Sequence, residues 1–165
     1  MERLLKKLVQ DFPDFTFISG EQFYWSPQQR RIIYNTSRQN DTIDCWSLLH
    51  ELGHAVLDHA SYDSDLELVE MESQAWDKAE QLSKTYGIDI DENHIQDCLD
   101  TYRDWLHQRS ACPKCGNRSF QQNSHEYHCF NCASEWKVSS SRFCRPYRMK
   151  AKSKTSPSGS KTTFV

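Results

Sequence analysis

The sequence predicts an α+β fold in two parts, a small domain in which a short sheet supports several helices, followed by a compact cysteine-rich ribbon. Three observations predict it. Aromatic and β-branched residues fall in short runs between residues 15 and 34, separated by turn residues. From residue 41 to 108, apolar residues recur at helical spacing. Two Cys-x-x-Cys pairs then follow, with thirteen residues between the inner cysteines.

Residues 2–10 favour an amphipathic helix, and Phe15-Thr16-Phe17-Ile18 favours a strand ended by Ser19-Gly20. Phe23-Tyr24-Trp25 and Arg31-Ile32-Ile33-Tyr34 predict two further strands, with Ser26-Pro27-Gln28-Gln29 as turn chemistry between them. A sheet edge of this kind can also pair with an extended peptide backbone.

The central helix opens at Asn40-Asp41-Thr42, with Asp41 as the expected N-cap and Asp44 suited to the positive end of the helix dipole. It is expected to run to about His59. Within it lies His50-Glu51-Leu52-Gly53-His54. Two histidines four apart stand about 40° from each other around a helix, so one ion can take both imidazoles. Glu51 flanks that ion without ligating it, where a general base must stand to take a proton from metal-bound water. The apolar neighbours Ile43, Trp46, Leu49, Val56 and Leu57 predict burial, and buried histidines need partners. Gly53 costs the helix about 1 kcal/mol relative to Ala, a cost that makes sense if something packs closely against the backbone there.

A second long helix is predicted from about Leu66 to Tyr86, stopped by Gly87. Its buried stripe is Val69, Glu72, Ala75, Trp76, Ala79, Leu82 and Tyr86. A carboxylate on an apolar face wants a cation, and a catalytic zinc usually takes three protein ligands. Glu72 is therefore the favoured third ligand. Glu70, whose helix face is polar, and His59, five residues past His54, are the alternatives. A third helix is predicted over Glu92–Gln108, with Ile95, Leu99, Tyr102 and Leu106 inward and Cys98 and Trp105 beside them.

Cys112, Cys115, Cys129 and Cys132 form two matched knuckles, a spacing that predicts a structural zinc held by four thiolates. The segment is too short for a core of its own, so the metal must hold it together. Phe120, Tyr127 and Trp136 fall on its strands. Cys45, Cys98 and Cys144 read as free thiols.

Charge divides the chain. Residues 41–104 hold seventeen Asp/Glu against three Lys/Arg, while residues 105–165 hold eleven Lys/Arg against two Asp/Glu. Arg142, Arg145, Arg148, Lys150, Lys152, Lys154 and Lys161 occur with no acid among them, in a Lys/Ser/Thr-rich stretch that composition marks as disordered after Met149. Such a region can bind nucleic acid through phosphates, or the acidic helices, or remain solvated. No apolar run approaches the roughly 20 residues of a membrane span. The N-terminus lacks a signal peptide's apolar core, so the expectation is a cytoplasmic protein with no membrane partner.

The residues His50-Glu51-Leu52-Gly53-His54, followed by an acidic helix with Glu72-x-x-Ala75, resemble the ImmA/IrrE group of zincin metallopeptidases over about residues 20–90. The resemblance implies zinc on His50, His54 and Glu72, with Glu51 as catalytic base. It also implies a regulatory setting, since members of the group act on transcriptional repressors. Trp76 stands where the group often has Asn, and Lys78 where it often has an aromatic residue. The order of metalloprotease then zinc ribbon is also similar to SprT-like proteins, some of which act on DNA-bound proteins, although their downstream His motif is not found here.

The expectation is thus a zincin-like metallopeptidase domain over residues 1–108, a zinc ribbon over 109–147 and a basic tail over 148–165. It carries two Zn2+ ions, one catalytic and one structural, and cleaves a protein or peptide substrate. Tyr62 is a candidate second oxyanion donor. The competing class is a non-catalytic, zinc-dependent adaptor for nucleic acid or protein.

Overall fold

The computed structural model describes residues 1–36, 40–123 and 125–139, and the backbone of 148–150. The chain divides into two compact units, Met1–His107 and Gln108–Val165. The fold is mixed α and β, as the sequence predicts.

In the first unit, helix α1 (Glu2–Asp11) buries Leu4 and Leu8. Strands β1 (Thr16–Gly20), β2 (Tyr24–Ser26) and β3 (Arg31–Asn35) form one sheet. Its order is β1-β3-β2, with β1 parallel and β2 antiparallel to β3. Ser19 and Gly20 belong to β1 rather than ending it, since both pair with β3. Between β2 and β3 a 3-10 turn, Pro27–Gln29, closes on Arg30 in the left-handed conformation (φ 48°).

Helix α2 (Asp41–Val56) differs from expectation at both ends. The N-cap is Asn40, not Asp41. The Asn40 side chain accepts from the backbone N–H groups of Thr42 and Ile43 at 3.2 and 3.4 Å, which leaves Asp41 as the first helical residue. The helix stops three residues short of His59. Asp58 turns left-handed (φ 54°), and the His59 N–H reaches back to the His54 carbonyl at 3.0 Å. This pairing closes a helix by satisfying its last carbonyls. Ile43 and Leu57, expected inside, are exposed, and Leu48, Leu49, Leu52 and Ala55 supply the helix's share of the core.

Helix α3 (Asp65–Tyr86) starts on Ser64, whose hydroxyl accepts from the Glu67 N–H at 3.1 Å, and ends at left-handed Gly87 (φ 67°). Its buried residues are Asp65, Glu72, Ala75, Trp76, Ala79 and Ser83. Val69, Leu82 and Tyr86 are only half-buried, so the stripe is narrower and more polar than the sequence suggests. Helix α4 (Glu92–Ser110) buries Ile95, Leu99 and Trp105, whereas Tyr102 and Leu106 sit half-buried. Among the described residues, no helix is long and apolar enough to cross a membrane.

In the second unit, β4 (Phe120–Asn123), β5 (Glu126–His128), β6 (Glu135–Val138) and β7 (Arg148–Lys150) form an antiparallel sheet in that order. Tyr127 and Trp136 are fully buried and stacked, with ring centroids 5.4 Å apart and planes 15° from parallel. The Trp136 indole N–H donates to the Arg109 carbonyl at 3.0 Å. Residues 148–150, read from the sequence as the start of the tail, thus pair along β6. Residues 151–165 lie outside the described residues, as do Arg142, Cys144 and Arg145.

Candidate metal centre

The two histidines of α2 converge on a carboxylate of α3. His50 Nε2 and His54 Nε2 are 3.1 Å apart, and Glu72 Oε2 stands 3.2 Å from the first and 3.6 Å from the second. All three side chains are buried. Glu72 Oε2 is shielded from solvent and makes no hydrogen bond among the described residues, although a nitrogen lies 3.2 Å away. A buried carboxylate oxygen without a donor is costly unless a cation meets it. Zinc bound tetrahedrally at about 2.0–2.1 Å holds its nitrogen and oxygen ligands roughly 3.3 Å from one another. The observed spacings bracket that value, so the donor set and its geometry fit zinc. Burial works against ionisation of Glu72, but imidazoles of His50 and His54 protonated towards it outweigh this in the metal-free cluster and draw the carboxyl down to about 2.

Packing of the two helices sets this geometry. Gly53 presents its bare Cα to the backbone of Ala75; a Cβ there would stand 2.5 Å from the Ala75 carbonyl oxygen. Ala75 lies one turn after Glu72, so close approach at Gly53 carries Glu72 onto the histidine pair. Trp76, next along α3, packs its ring on His50 with centroids 4.3 Å apart and planes 33° from parallel.

Glu51 is half-buried beside the cluster. Burial raises its carboxyl above the ordinary range, and the charges of His50 and His54 only partly offset this. The backbone N–H of Trp25, on edge strand β2, lies near enough to oppose that rise slightly as well. Sequence reasoning missed that link, because nothing local couples residue 25 to residue 51.

Among the alternative ligands, Glu70 is exposed and accepts from the Gln74 amide at 3.3 Å, outside the cluster. His59 does swing back towards the centre, but as a neighbour of His54. Their Nδ1 atoms are 2.9 Å apart, and His59 Nε2 lies 3.3 Å from Gln74 Oε1. Burial lowers the His59 pKa, and the nearby His54 adds to this. The Trp25 indole donates to the His59 carbonyl at 2.8 Å and pins the turn. Tyr62 is exposed in the connection between α2 and α3. The one sequence signal for the His59 contact was a histidine just past a helix end; the left-handed turn at Asp58 was not foreseen.

In the ribbon unit, Cys112, Cys115, Cys129 and Cys132 gather their sulfurs. Cys112 Sγ and Cys132 Sγ are 3.6 Å apart, and Cys115 Sγ and Cys129 Sγ 3.5 Å. Tetrahedral zinc at about 2.3 Å spaces its sulfurs by roughly 3.8 Å, so this set is also compatible with zinc. The knuckles repeat one turn. The N–H of Gly116 donates to the Cys112 carbonyl at 2.9 Å, and that of Ala133 to the Cys129 carbonyl at 2.8 Å, both residues being left-handed (φ 75° and 55°). Burial raises the Cys129 thiol, yet the Cys132 backbone N–H heads the hydrogen bonds that bring it down to about 6. Among the described residues, neither Cys45 nor Cys98 forms a disulfide, and Cys98 Sγ lies 3.6 Å from His94 Nε2.

Comparison with protein families matches residues 12–111 to Peptidase_M78, the IrrE N-terminal-like domain. No curated protein and no solved structure matches the chain. The family match spans more than half of the sequence, and it covers both helices that build the histidine–glutamate cluster: the chain belongs to the IrrE N-terminal-like peptidase family.

Proposed function

We propose that this protein is a zinc-dependent metalloendopeptidase, with His50, His54 and Glu72 holding the catalytic ion, Glu51 as general base, and a second, structural zinc on Cys112, Cys115, Cys129 and Cys132. The observation that carries this reading is the convergence of His50 Nε2, His54 Nε2 and Glu72 Oε2 within 3.6 Å, with a raised-pKa carboxyl on the next residue. Zinc, when bound, supplies a Lewis acid that acidifies water and polarises a scissile carbonyl. Glu51 takes the proton of the attacking water and returns it to the leaving amide nitrogen. Its raised affinity for a proton suits a group that must hold one between those two transfers. The Trp25 N–H favours its ionised form, and β2 is an edge strand, with which an extended peptide can pair.

The peptidase domain occupies residues 1–108 and the ribbon 109–147 in this reading, and the enzyme acts on a protein substrate in a regulatory, cytoplasmic setting. The charge of the second unit, eleven Lys/Arg against two Asp/Glu, supports nucleic acid as a partner of the basic C-terminal region.

The deciding experiment compares Glu51→Gln with the native chain. Proteolysis of a protein substrate falls by at least about a hundredfold while zinc content stays at two ions per chain. Unchanged cleavage removes Glu51 from the mechanism. Zinc content of one in both the native chain and His50→Ala refutes the catalytic site.

A further inference from the structure

A line of hydrogen bonds leaves the far side of His54 and ends on a surface carboxylate. His54 Nδ1 meets His59 Nδ1 at 2.9 Å, His59 Nε2 meets Gln74 Oε1 at 3.3 Å, and Gln74 Nε2 meets Glu70 Oε1 at 3.3 Å. Each contact admits one sense once its neighbour is fixed. An ionised carboxylate only accepts, so Glu70 takes the amide N–H2 of Gln74. The Gln74 oxygen then faces His59 and requires the proton on His59 Nε2. A neutral His59 with its proton there presents a lone pair at Nδ1. His54 must therefore carry its proton on Nδ1, which leaves the lone pair of Nε2 directed at His50 and Glu72.

We propose that Glu70, Gln74 and His59 are positioning residues that fix the tautomer of His54, so that its Nε2 offers a lone pair to the metal cluster. The reverse sense would place a proton on His54 Nε2, 3.1 Å from His50 Nε2, where no ion could be bound. The backbone holds the relay in place. The Asp58 turn and the Trp25 bond to the His59 carbonyl fix residue 59, while Gln74 and Glu70 sit one turn apart on α3. Among the described residues His50 has no such device: its Nδ1 is buried with no hydrogen-bond partner among them, and its ring packs on Trp76 instead. A ligand histidine commonly owes its orientation to a partner on its other nitrogen. Here that partner is an imidazole whose own state is dictated from an exposed carboxylate. The consequence for zinc affinity rests on the metallopeptidase reading above; the tautomer itself does not.

The test uses the full chain, chelated gently enough to leave the ribbon loaded. Long-range nitrogen–proton correlation spectra read the tautomer of His54, and chelator competition reads zinc affinity, with His50→Ala giving the ribbon's share. Gln74→Glu preserves an acceptor for His59 and keeps both the tautomer and the affinity. Gln74→Lys, at the same exposed position, offers a donor instead; it shifts the His54 proton to Nε2 and weakens zinc binding. His59→Phe removes the acceptor and weakens binding by about 10–100-fold. The proposal is overturned if the native chain carries its His54 proton on Nε2. It is equally overturned if Gln74→Lys and His59→Phe, shown folded by circular dichroism, both bind zinc within twofold of the native chain. A native chain that takes up only the ribbon zinc refutes the metallopeptidase reading, and the spectra still decide the relay.

Discussion

Gly53 and Ala75 touch backbone to backbone: the missing side chain of one admits the carbonyl of the other. In an isolated helix, Gly53→Ala would gain about 1 kcal/mol. In this fold the added methyl meets a backbone oxygen at 2.5 Å, and no rotamer change can relieve that.

Gly53→Ala is therefore expected to lower stability by about 1–3 kcal/mol. Because Ala75 sits one turn from Glu72, displacing α3 also withdraws the carboxylate from the histidines. Urea denaturation and a zinc titration measure both effects. A variant of native stability and native zinc affinity would show that the helices can part without cost.

Glu72→Gln and Glu70→Gln separate the two candidate carboxylates. Glu72 is buried against both imidazoles, while Glu70 is exposed. Glu72→Gln is expected to drop the zinc content of the full chain from two ions to one. Glu70→Gln is expected to leave two. Elemental analysis of the purified variants decides between them, and the opposite pattern would make Glu70 the ligand.

Tyr86 donates its hydroxyl to Asp11 at 2.8 Å and so joins α3 to α1. Burial, then the Asp11 carboxylate, push its phenol up to about 12. The fold favours the neutral phenol, so this contribution to stability is complete below the ordinary tyrosine value near 10 and is lost as pH rises through about 12. The native chain should be more stable than Tyr86→Phe at pH about 9, with the gap closing across that window. Denaturation midpoints at several pH values test the sign; a gap that widens with pH contradicts it.

The core of the ribbon unit contains Cys112, Tyr127, Cys129, Trp136 and Val138, two of its five residues being members of the four-cysteine cluster. Cys129→Ser should remove one zinc and unfold this unit. Backbone amides of β5 and β6 would exchange at nearly unfolded rates while those of α2 and α3 stay protected. Retained protection at Tyr127 and Trp136 would mean that the apolar contacts suffice without metal.

By itself the sequence determined what depends on neighbours along the chain. The spacing of His50 and His54 places two imidazoles on one helical face, and periodicity puts Glu72 on the buried face of α3, because 3.6 residues per turn decides both. Gly87 ends α3 and the two Cys-x-x-Cys turns close on themselves for equally local reasons. Even local competition was not fully legible: Asn40 rather than Asp41 caps α2, since either side chain could accept the Ile43 N–H. Only the tertiary structure decided which distant groups meet. It set Trp25 against Glu51, Trp76 against His50, and Ala75 against Gly53. It also turned His59 back onto His54 through a left-handed Asp58, a conformation that its residue type tolerates but does not announce. Those contacts join residues from five to twenty-six apart, and what selects them is the burial of one common core, a property that no single stretch of sequence contains.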